Sequence, residues 1–168
     1  NHSGDDAAGM AISENLRGQI RSMVQAERNA NDGTSIAQVA EGGLTEVSNI
    51  LIRLRELAIQ AASDTIGDRE RGYIDEEVKS LVKEVDRISN TANFNGTSLL
   101  NGQAPKGKLS FQVGIQNKED DRIEFDVNKY DVRADSLGIE GLSYKDIDGA
   151  YEGLTKIDEA MGKVFSVR

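Results

Sequence analysis

The sequence predicts a mainly α-helical protein: an elongated antiparallel bundle of one very long helix, a second helix and a returning C-terminal helix, with a packed β-hairpin. Apolar residues recur at alternating spacings of three and four through most of the chain, which is the period of packed helices. Between residues 108 and 127 the period changes to two, as in strands. Aromatic residues make up only 5% of the chain, which suits a bundle built from Ala, Leu, Ile and Val.

The first predicted helix covers residues 9–62. Its apolar positions keep a period near 3.5: Ile12, Leu16, Ile20, Met23, Ala26, Ala30, Gly33, Ala37, Ala40, Leu44, Val47, Leu51, Leu54, Ala58 and Ala61. Two helices that break near residue 33 are the alternative, because Asn31-Asp32-Gly33 is a turn signal and interior glycine is unfavourable. We favour one helix, since the heptad phase continues across the glycines. Gly42-Gly43 then marks close packing, and Ser3, Asp5 and Asp6 are suited to the cap and first turn.

A second helix is predicted over residues 68–90, after a loop, with Asp68 as its cap. Its apolar positions are Ile74, Val78, Leu81, Val85 and Ile88. A turn-rich stretch follows, in which Asn95-Gly96 is typical of a tight turn.

The hairpin is predicted over residues 108–127, from two runs in which apolar and polar residues alternate. The apolar residues of these runs are Leu109, Phe111, Val113, Ile123, Phe125 and Val127, and we expect that face to lie on the helices. The last helix covers residues 147–168, with Asp146 or Asp148 as its N-cap. The elements are expected to form a single domain over residues 1–168.

Composition argues against several classes of function. The formal net charge of −9 is unsuited to nucleic acid or an anionic membrane, because both are bound mainly through Lys and Arg. No run of apolar residues is long enough for a transmembrane helix. The chain has no cysteine and one histidine, His2, so thiolate catalysis and most zinc sites are excluded.

The acidic residues do not form a recognisable metal or catalytic motif. Asp146-Ile147-Asp148-Gly149 resembles part of a calcium loop, but that alignment puts Tyr144 first and Thr155 last, where carboxylates are required. We expect no cofactor, no metal and no enzymatic activity. A hydrolase with paired carboxylates remains the enzymatic alternative.

Several long motifs resemble bacterial flagellin. The opening SGDDAAGMAISENLRGQIR is similar to the flagellin signature in which DDAAG leads into a long helix. The resemblance continues through RNANDG, AQVAEGGLTEVSNIL, LRELAIQAASD and EVDRISNTANFNGTSLLNG, in the same order. The final AYEGLTKIDEAMGKVFSVR resembles the start of the returning C-terminal helix. The resemblance implies a structural subunit of the extracellular flagellar filament, with other flagellin subunits as partners and an export chaperone among the expected ones.

Two departures from flagellins are expected to matter. The helical segments that flagellins carry at both extreme ends are missing, so we interpret the chain as a core fragment that does not polymerise normally. The interval over residues 128–146 is too short for the large outer domains of many flagellins. The flagellar hook–filament junction protein, which shares the terminal helices of flagellin, is the alternative within the flagellum.

The stretch 51–64 of the long helix has more than one face. A rotation of about 100° per residue places Val47, Leu51, Leu54, Ala58 and Ala61 in one narrow sector. Ile52 and Ile59 then point about 120–150° away from its centre. Either the hairpin or a loop of the same chain covers them, or they are buried only between subunits.

The flagellin resemblance gives a use to the flank of this helix. In flagellins the matching region lies in subunit contacts, and in some it is detected by a Toll-like receptor of vertebrate innate immunity. Carried over by motif, the candidate residues are Arg53, Leu57 and Glu77, with Gln60 adjoining them. Together with Ile52 and Ile59 they are the candidate subunit-interface and receptor-recognition residues.

Overall fold

The computed structural model describes residues 7–167. His2 and the predicted cap residues Ser3, Asp5 and Asp6 lie outside the described residues. The helices are α1 (Ala7–Ala61), α2 (Asp68–Thr91), α3 (Ala134–Leu137) and α4 (Ile147–Val167). The strands are β1 (Asn93–Phe94), β2 (Thr97–Ser98), β3 (Lys108–Gln112) and β4 (Arg122–Asp126). The predicted order of long helix, second helix, hairpin and returning helix is confirmed.

Helix α1 runs without interruption through both glycine-containing stretches, so the two-helix alternative is wrong. At Asn31-Asp32-Gly33 the helix continues because the hairpin packs there: a Cβ built on Gly33 would lie 3.4 Å from the ring of Phe111. Nearby hydroxyls also donate to the preceding turn, as Thr34 Oγ1 does to the Ala30 carbonyl at 3.0 Å. Tertiary packing thus overrides a local turn signal.

The chain divides into two compact units, each described by itself, and the prediction of one core domain stays a prediction. The first unit comprises α1 up to Ala37 and residues 109–125 of the hairpin. Here the Asn29 side chain donates a hydrogen bond of 2.9 Å to the Gln112 carbonyl. Near the hairpin tip, the Val113 amide donates to the Asp121 carbonyl at 2.8 Å. The predicted packing of the hairpin on a helix is confirmed.

The second unit comprises residues 38–108 and 126 onward, and it holds the larger core. Its side chains with almost no exposure include Leu44, Val47, Leu51, Leu54, Leu57, Ala58 and Ala61 of α1, Val78 and Val85 of α2, and Ile157, Ala160 and Val164 of α4. Gly43 allows the approach of Leu100, whose Cδ1 lies 2.5 Å from a Cβ built on that glycine. Gly42 has no such neighbour, so only Gly43 confirms the predicted close packing.

A buried arginine closes the corner between α1 and α2. Arg71 donates from Nε to the Ala61 carbonyl at 3.0 Å and from Nη2 to the Ser63 carbonyl at 3.1 Å. Ala61 is the last residue of α1, where carbonyls lack intrahelical partners, so the guanidinium supplies a donor that the helix C-terminus needs. Ser63 lies in the turn that follows, and its carbonyl also accepts from the Ile66 amide at 3.1 Å. The corner is therefore held by a side chain 10 residues along the chain from Ala61.

The prediction that Asp68 caps α2 is wrong. Helix α2 begins at Asp68 itself, and the preceding Gly67 makes no side-chain cap hydrogen bond. The Asp68 carboxylate lies in the first turn, where negative charge is favoured by the helix dipole, and accepts from Arg71 Nη1 at 3.2 Å.

Strands β1 and β2 form a two-residue hairpin whose closing pair is Phe94 and Thr97. The two central residues have positive φ, 48° at Asn95 and 78° at Gly96, as a type I′ turn requires. The predicted turn at Asn95-Gly96 is confirmed.

Residues 131–145 return along α2 and are held there by two of its carboxylates. Asp86 accepts from the Ala134 amide at 2.8 Å. Further towards the start of α2, Asp75 accepts from Ser143 Oγ at 2.7 Å and from the Tyr144 amide at 2.9 Å. The segment therefore runs antiparallel to α2 before α4 turns back. At the start of α4, Asp146 accepts from the Gly149 amide at 2.7 Å, which confirms it as the N-cap.

The side chain of Asp75 is fully buried, and Lys79 Nζ lies 2.9 Å from its second oxygen. Burial alone raises the pKa of Asp75. The donors from Lys79, Ser143 and the Tyr144 amide together outweigh that effect and hold the pKa below its ordinary value. The carboxylate is therefore the ionised centre of a buried polar network.

The N-terminal part of the heptad trace is not buried by any described residue. Ile12, Leu16, Ile20 and Met23 are between 52 and 62% exposed. The heptad spacing is therefore not accompanied by burial in this part of α1. From Ala40 onward the heptad positions are buried, and Leu100, Ala92 and Ile88 lie over Gly43 in this part of α1.

Candidate interaction surface on the first helix

The candidate surface lies on α1 between residues 48 and 61, on the sides of the helix that its core contacts leave open. Leu51, Leu54, Ala58 and Ala61 are all 0% exposed, as the rotation arithmetic predicts. On the opposite side, Ile52 is 44% exposed and Ile59 is 53% exposed. The alternative in which the hairpin or a loop covers these isoleucines is not what the structure shows for the described residues.

Arg53 and Glu77 meet across the α1–α2 pair. Arg53 Nη2 lies 2.8 Å from Glu77 Oε1, and Arg53 Nε donates to the same oxygen at 2.9 Å. Glu56, one turn along α1, accepts from Arg53 Nη1 at 3.2 Å. The hydrogen bonds from Arg53 to Glu77 and then to Glu56 raise the pKa of the guanidinium. The two carboxylates hold the arginine at the surface in a defined orientation, with both side chains of the Arg53–Glu77 pair still more than 40% exposed.

The other edge of the isoleucine face carries a second ion pair, which sequence reasoning missed. Arg55 Nε lies 2.8 Å from Asp158 Oδ1 on α4. No sequence signal connects residues separated by 103 positions, because the pairing depends on how α4 returns to α1. The exposed isoleucines are thus bordered by one charged pair towards α2 and another towards α4.

Leu57 is a correction to the candidate residues, because it is only 1% exposed and belongs to the core. The same rotation puts it about 80° from the centre of the buried sector, on the side towards α2. Helices pack on both sides of α1, so the buried arc is wider than the apolar positions suggested. Gln60, by contrast, is exposed beside Ile59.

The chemistry available at this surface is that of a helix–helix interface. Half-exposed isoleucines between ordered ion pairs offer an apolar strip with a polar rim, as protein–protein contacts do. Among residues 7–167, no group of three or more His, Asp or Glu side chains is arranged to hold a metal ion. No helix in that range is both long and apolar enough to cross a membrane.

Comparison with known proteins gives consistent matches. Residues 1–104 match the family described as the bacterial flagellin N-terminal helical region. The chain is 40% identical to the flagellin of Halalkalibacterium halodurans over 98% of its own length and 59% of that relative. It is 40% identical to Bacillus subtilis flagellin over 95% of the chain and 53% of that protein. It is 39% identical to the flagellar filament core protein flaB2 of Brachyspira hyodysenteriae, over 100% of the chain and 62% of that protein.

The fold agrees with these matches. The crystal structure of Bacillus cereus flagellin superposes with a TM-score of 0.71 at 30% sequence identity, covering 84% of this chain and 78% of that one. The chain spans between 53 and 62% of the length of the three relatives named above.

Proposed function

This chain belongs to the bacterial flagellin family, and we propose that it is the core part of a structural subunit of the flagellar filament. The subunit self-assembles through the side faces of its long helices, lies outside the cell and serves motility. The relatives named above are flagellins or a filament core protein, which favours this role over that of a junction protein. The alternative of a hydrolase has no supporting observation among the described residues.

The observation that carries the proposal is the isoleucine face of α1. Ile52 and Ile59 lie seven residues apart on one side of the helix and keep about half of their exposure, while neighbouring Leu51, Leu54 and Ala58 are fully buried. A helix that satisfies its own core on one face and presents β-branched side chains on another suits a subunit with several neighbours. The ion pairs on both sides of the face would fix the orientation of the incoming helix.

Assembly of the full-length protein tests this proposal. We expect the double variant Ile52→Asp/Ile59→Asp to lose elongation from filament seeds, because two carboxylates would be buried at each contact. The control is Val39→Asp, which places one such carboxylate on a 39% exposed position elsewhere on α1. Both variants should unfold within about 1 kcal/mol of the parent chain, since the positions are exposed.

Two results would overturn the assignment. Elongation of the double variant at the parent rate would remove the isoleucine face as a contact. Failure of the full-length parent protein itself to form filaments would remove the filament role.

As a finer proposal, the Arg53–Glu77 pair is a contact for the flagellin-sensing Toll-like receptor, and the chain leaves the cell through the flagellar export apparatus with a chaperone as partner. The support for the receptor contact is the exposure of the pair and its fixed geometry beside exposed Gln60. Leu57 is left out of this surface, because its side chain is in the core.

A receptor-reporter assay on folded protein tests the receptor contact. Arg53→Ala and Glu77→Ala should each lower signalling potency by about tenfold, as at an interface hot spot. Arg17→Ala is the control, since Arg17 also forms an exposed pair with a glutamate, Glu14, elsewhere on α1. Equal potency of all three variants would exclude the contact without affecting the filament proposal.

A further inference from the structure

We propose that Asn95 is a site of spontaneous deamidation, and that the fold directs this reaction to Asn95 while protecting Asn101. The sequence contains two Asn-Gly dipeptides, Asn95-Gly96 and Asn101-Gly102, which lie six residues apart. Asn-Gly is the most reactive context for this chemistry, because glycine has no side chain to shield its backbone nitrogen. The structure places the two dipeptides in opposite environments.

The reaction needs only water as co-reactant. The backbone nitrogen of Gly96 attacks the side-chain carbonyl carbon of Asn95, which forms a C–N bond and a five-membered imide. The carboxamide C–N bond breaks, and ammonia leaves with the proton that the Gly96 amide gives up. Water then opens the imide at one of its two carbonyls, giving aspartate or isoaspartate. No oxidation or reduction takes place.

Asn95 has the exposure and the open surroundings that ring closure requires. It is exposed at the tip of the β1–β2 turn, and its side chain makes no hydrogen bond with a described residue. The paired residues of this hairpin are Phe94 with Thr97 and Asn93 with Ser98, so Gly96 lies outside the ladder. A Cβ built on Gly96 would meet nothing within 4 Å, so the imide ring would form in open space.

Asn101 fails the same requirements. It is only 6% exposed, and its side-chain oxygen already accepts from the Gln103 amide at 3.1 Å. The space over Gly102 is filled by Asp131, whose side chain would lie 2.9 Å from a Cβ built there. The Leu100 carbonyl accepts from the Val132 amide at 3.0 Å, which holds this stretch against the return segment. Product formation would also place a new carboxylate beside that of Asp131.

The product has structural consequences. Isoaspartate inserts an extra carbon into the main chain, and a two-residue turn with both φ values positive cannot absorb it while keeping the Phe94–Thr97 register. The adjoining Leu99 and Leu100 are fully buried, and Leu100 packs against Gly43 of α1. Isoaspartate at Asn95 should therefore disturb the packing of Leu99 and Leu100, which follow the turn closely in the chain.

Peptide mapping by mass spectrometry tests the proposal. The folded chain is kept in mildly alkaline buffer below its unfolding temperature, and isoaspartate is counted with an isoaspartyl methyltransferase. We expect Asn95 to convert at least about tenfold faster than Asn101, because Asn101 must first unfold locally. In denaturant the two rates should converge, since both dipeptides are then exposed.

Asn95→Gly is the matched variant, because glycine keeps the positive φ of the turn and removes the carboxamide. It should abolish the isoaspartate signal of the peptide that contains position 95. Equal conversion of Asn95 and Asn101 in the folded chain would overturn the proposal. So would an intact Asn95 in the folded chain over the time in which the denatured chain loses it.

Discussion

Two stretches of α1 carry the same apolar spacing and end in opposite environments. From Ala40 to Ala61 the heptad positions are buried, in the stretch where α1 forms ion pairs with α2 and α4. From Ile12 to Met23 they stay more than half exposed. The periodicity is the same, so it indicates that a face is suited to a helical partner. It does not identify which part of which chain supplies that partner.

The largest difference is expected when one leucine side chain in each stretch is shortened to alanine. Leu54→Ala should lower the free energy of unfolding by about 2–5 kcal/mol, because Leu54 is fully buried and the substitution leaves a cavity. Leu16→Ala, at 52% exposure, should cost less than about 1 kcal/mol. Urea unfolding followed by circular dichroism measures both. Equal losses would mean that Leu16 is covered in solution.

The next largest loss in the free energy of unfolding is expected in the buried polar network around Asp75, in the second unit. Ser143 Oγ and the Tyr144 amide donate to one oxygen of Asp75, and Lys79 Nζ faces the other. Asp75→Asn should therefore cost about 1–3 kcal/mol, because its amide nitrogen would face a donor at either position. Glu76→Gln is its control, since Glu76 contacts the same Lys79 but is 73% exposed, and it should change the stability little. Thermal or urea unfolding measures the effect of each variant. Similar losses for Asp75→Asn and Glu76→Gln would mean that only the contact with Lys79 is stabilising.

The same carboxylate makes stability depend on pH. The folded pKa of Asp75 lies below its ordinary value of 3.8, so its contribution is complete above that pH. It is lost as the pH falls through the folded pKa, where the native carboxylate takes up its proton. The acid limb of the unfolding midpoint against pH should therefore be shallower in Asp75→Asn than in the parent chain. Superimposable acid limbs would contradict this.

Glycine substitutions give a smaller test of where α1 has close neighbours. Gly43→Ala should destabilise by about 1–2 kcal/mol, because the overlap with Leu100 exceeds the gain in helix propensity. Gly42→Ala and Gly18→Ala meet no atom within 4 Å and should each stabilise by about 0.5–1 kcal/mol. Thermal unfolding would show the difference in sign. A stabilising Gly43→Ala would mean that Leu100 moves aside without cost.

Removal of a surface charge should change the free energy of unfolding by a similar, small amount in the two stretches. Arg53→Ala and Arg17→Ala remove ion pairs that are exposed in both places, and each should change the free energy of unfolding by less than about 1 kcal/mol. A larger loss for Arg53→Ala in urea unfolding would show that its pair with Glu77 also holds α2 against α1.

The order of the elements was accessible to sequence reasoning because periodicity and turn chemistry act locally. The bounds of α2 and α4, the turn at Asn95-Gly96 and the cap at Asp146 follow from such signals. The exposed isoleucine face followed from the same rotation. The buried position of Leu57 did not, because it depends on α2 packing on that side of α1.

Longer-range pairings could not be predicted for the same reason. Arg55 meets Asp158, and Asp75 meets Ser143, only after the return segment and α4 have taken their paths. The family resemblance named Arg53 and Glu77 as candidate residues of one surface, but their ion pair was not predicted. The exposure of the apolar positions from Ile12 to Met23 could not be predicted either, because it depends on whether another element packs against them.

The Arg71 corner has a consequence for the order in which the chain folds. Its hydrogen bond to Ala61 joins residues 10 apart, whereas the Arg55–Asp158 contact closes a loop of 103. Short loops close faster and at lower entropic cost than long ones. We therefore expect the corner between α1 and α2 to form first, and contacts between the two helices to form progressively further from it. The last helix then docks on a surface that already exists.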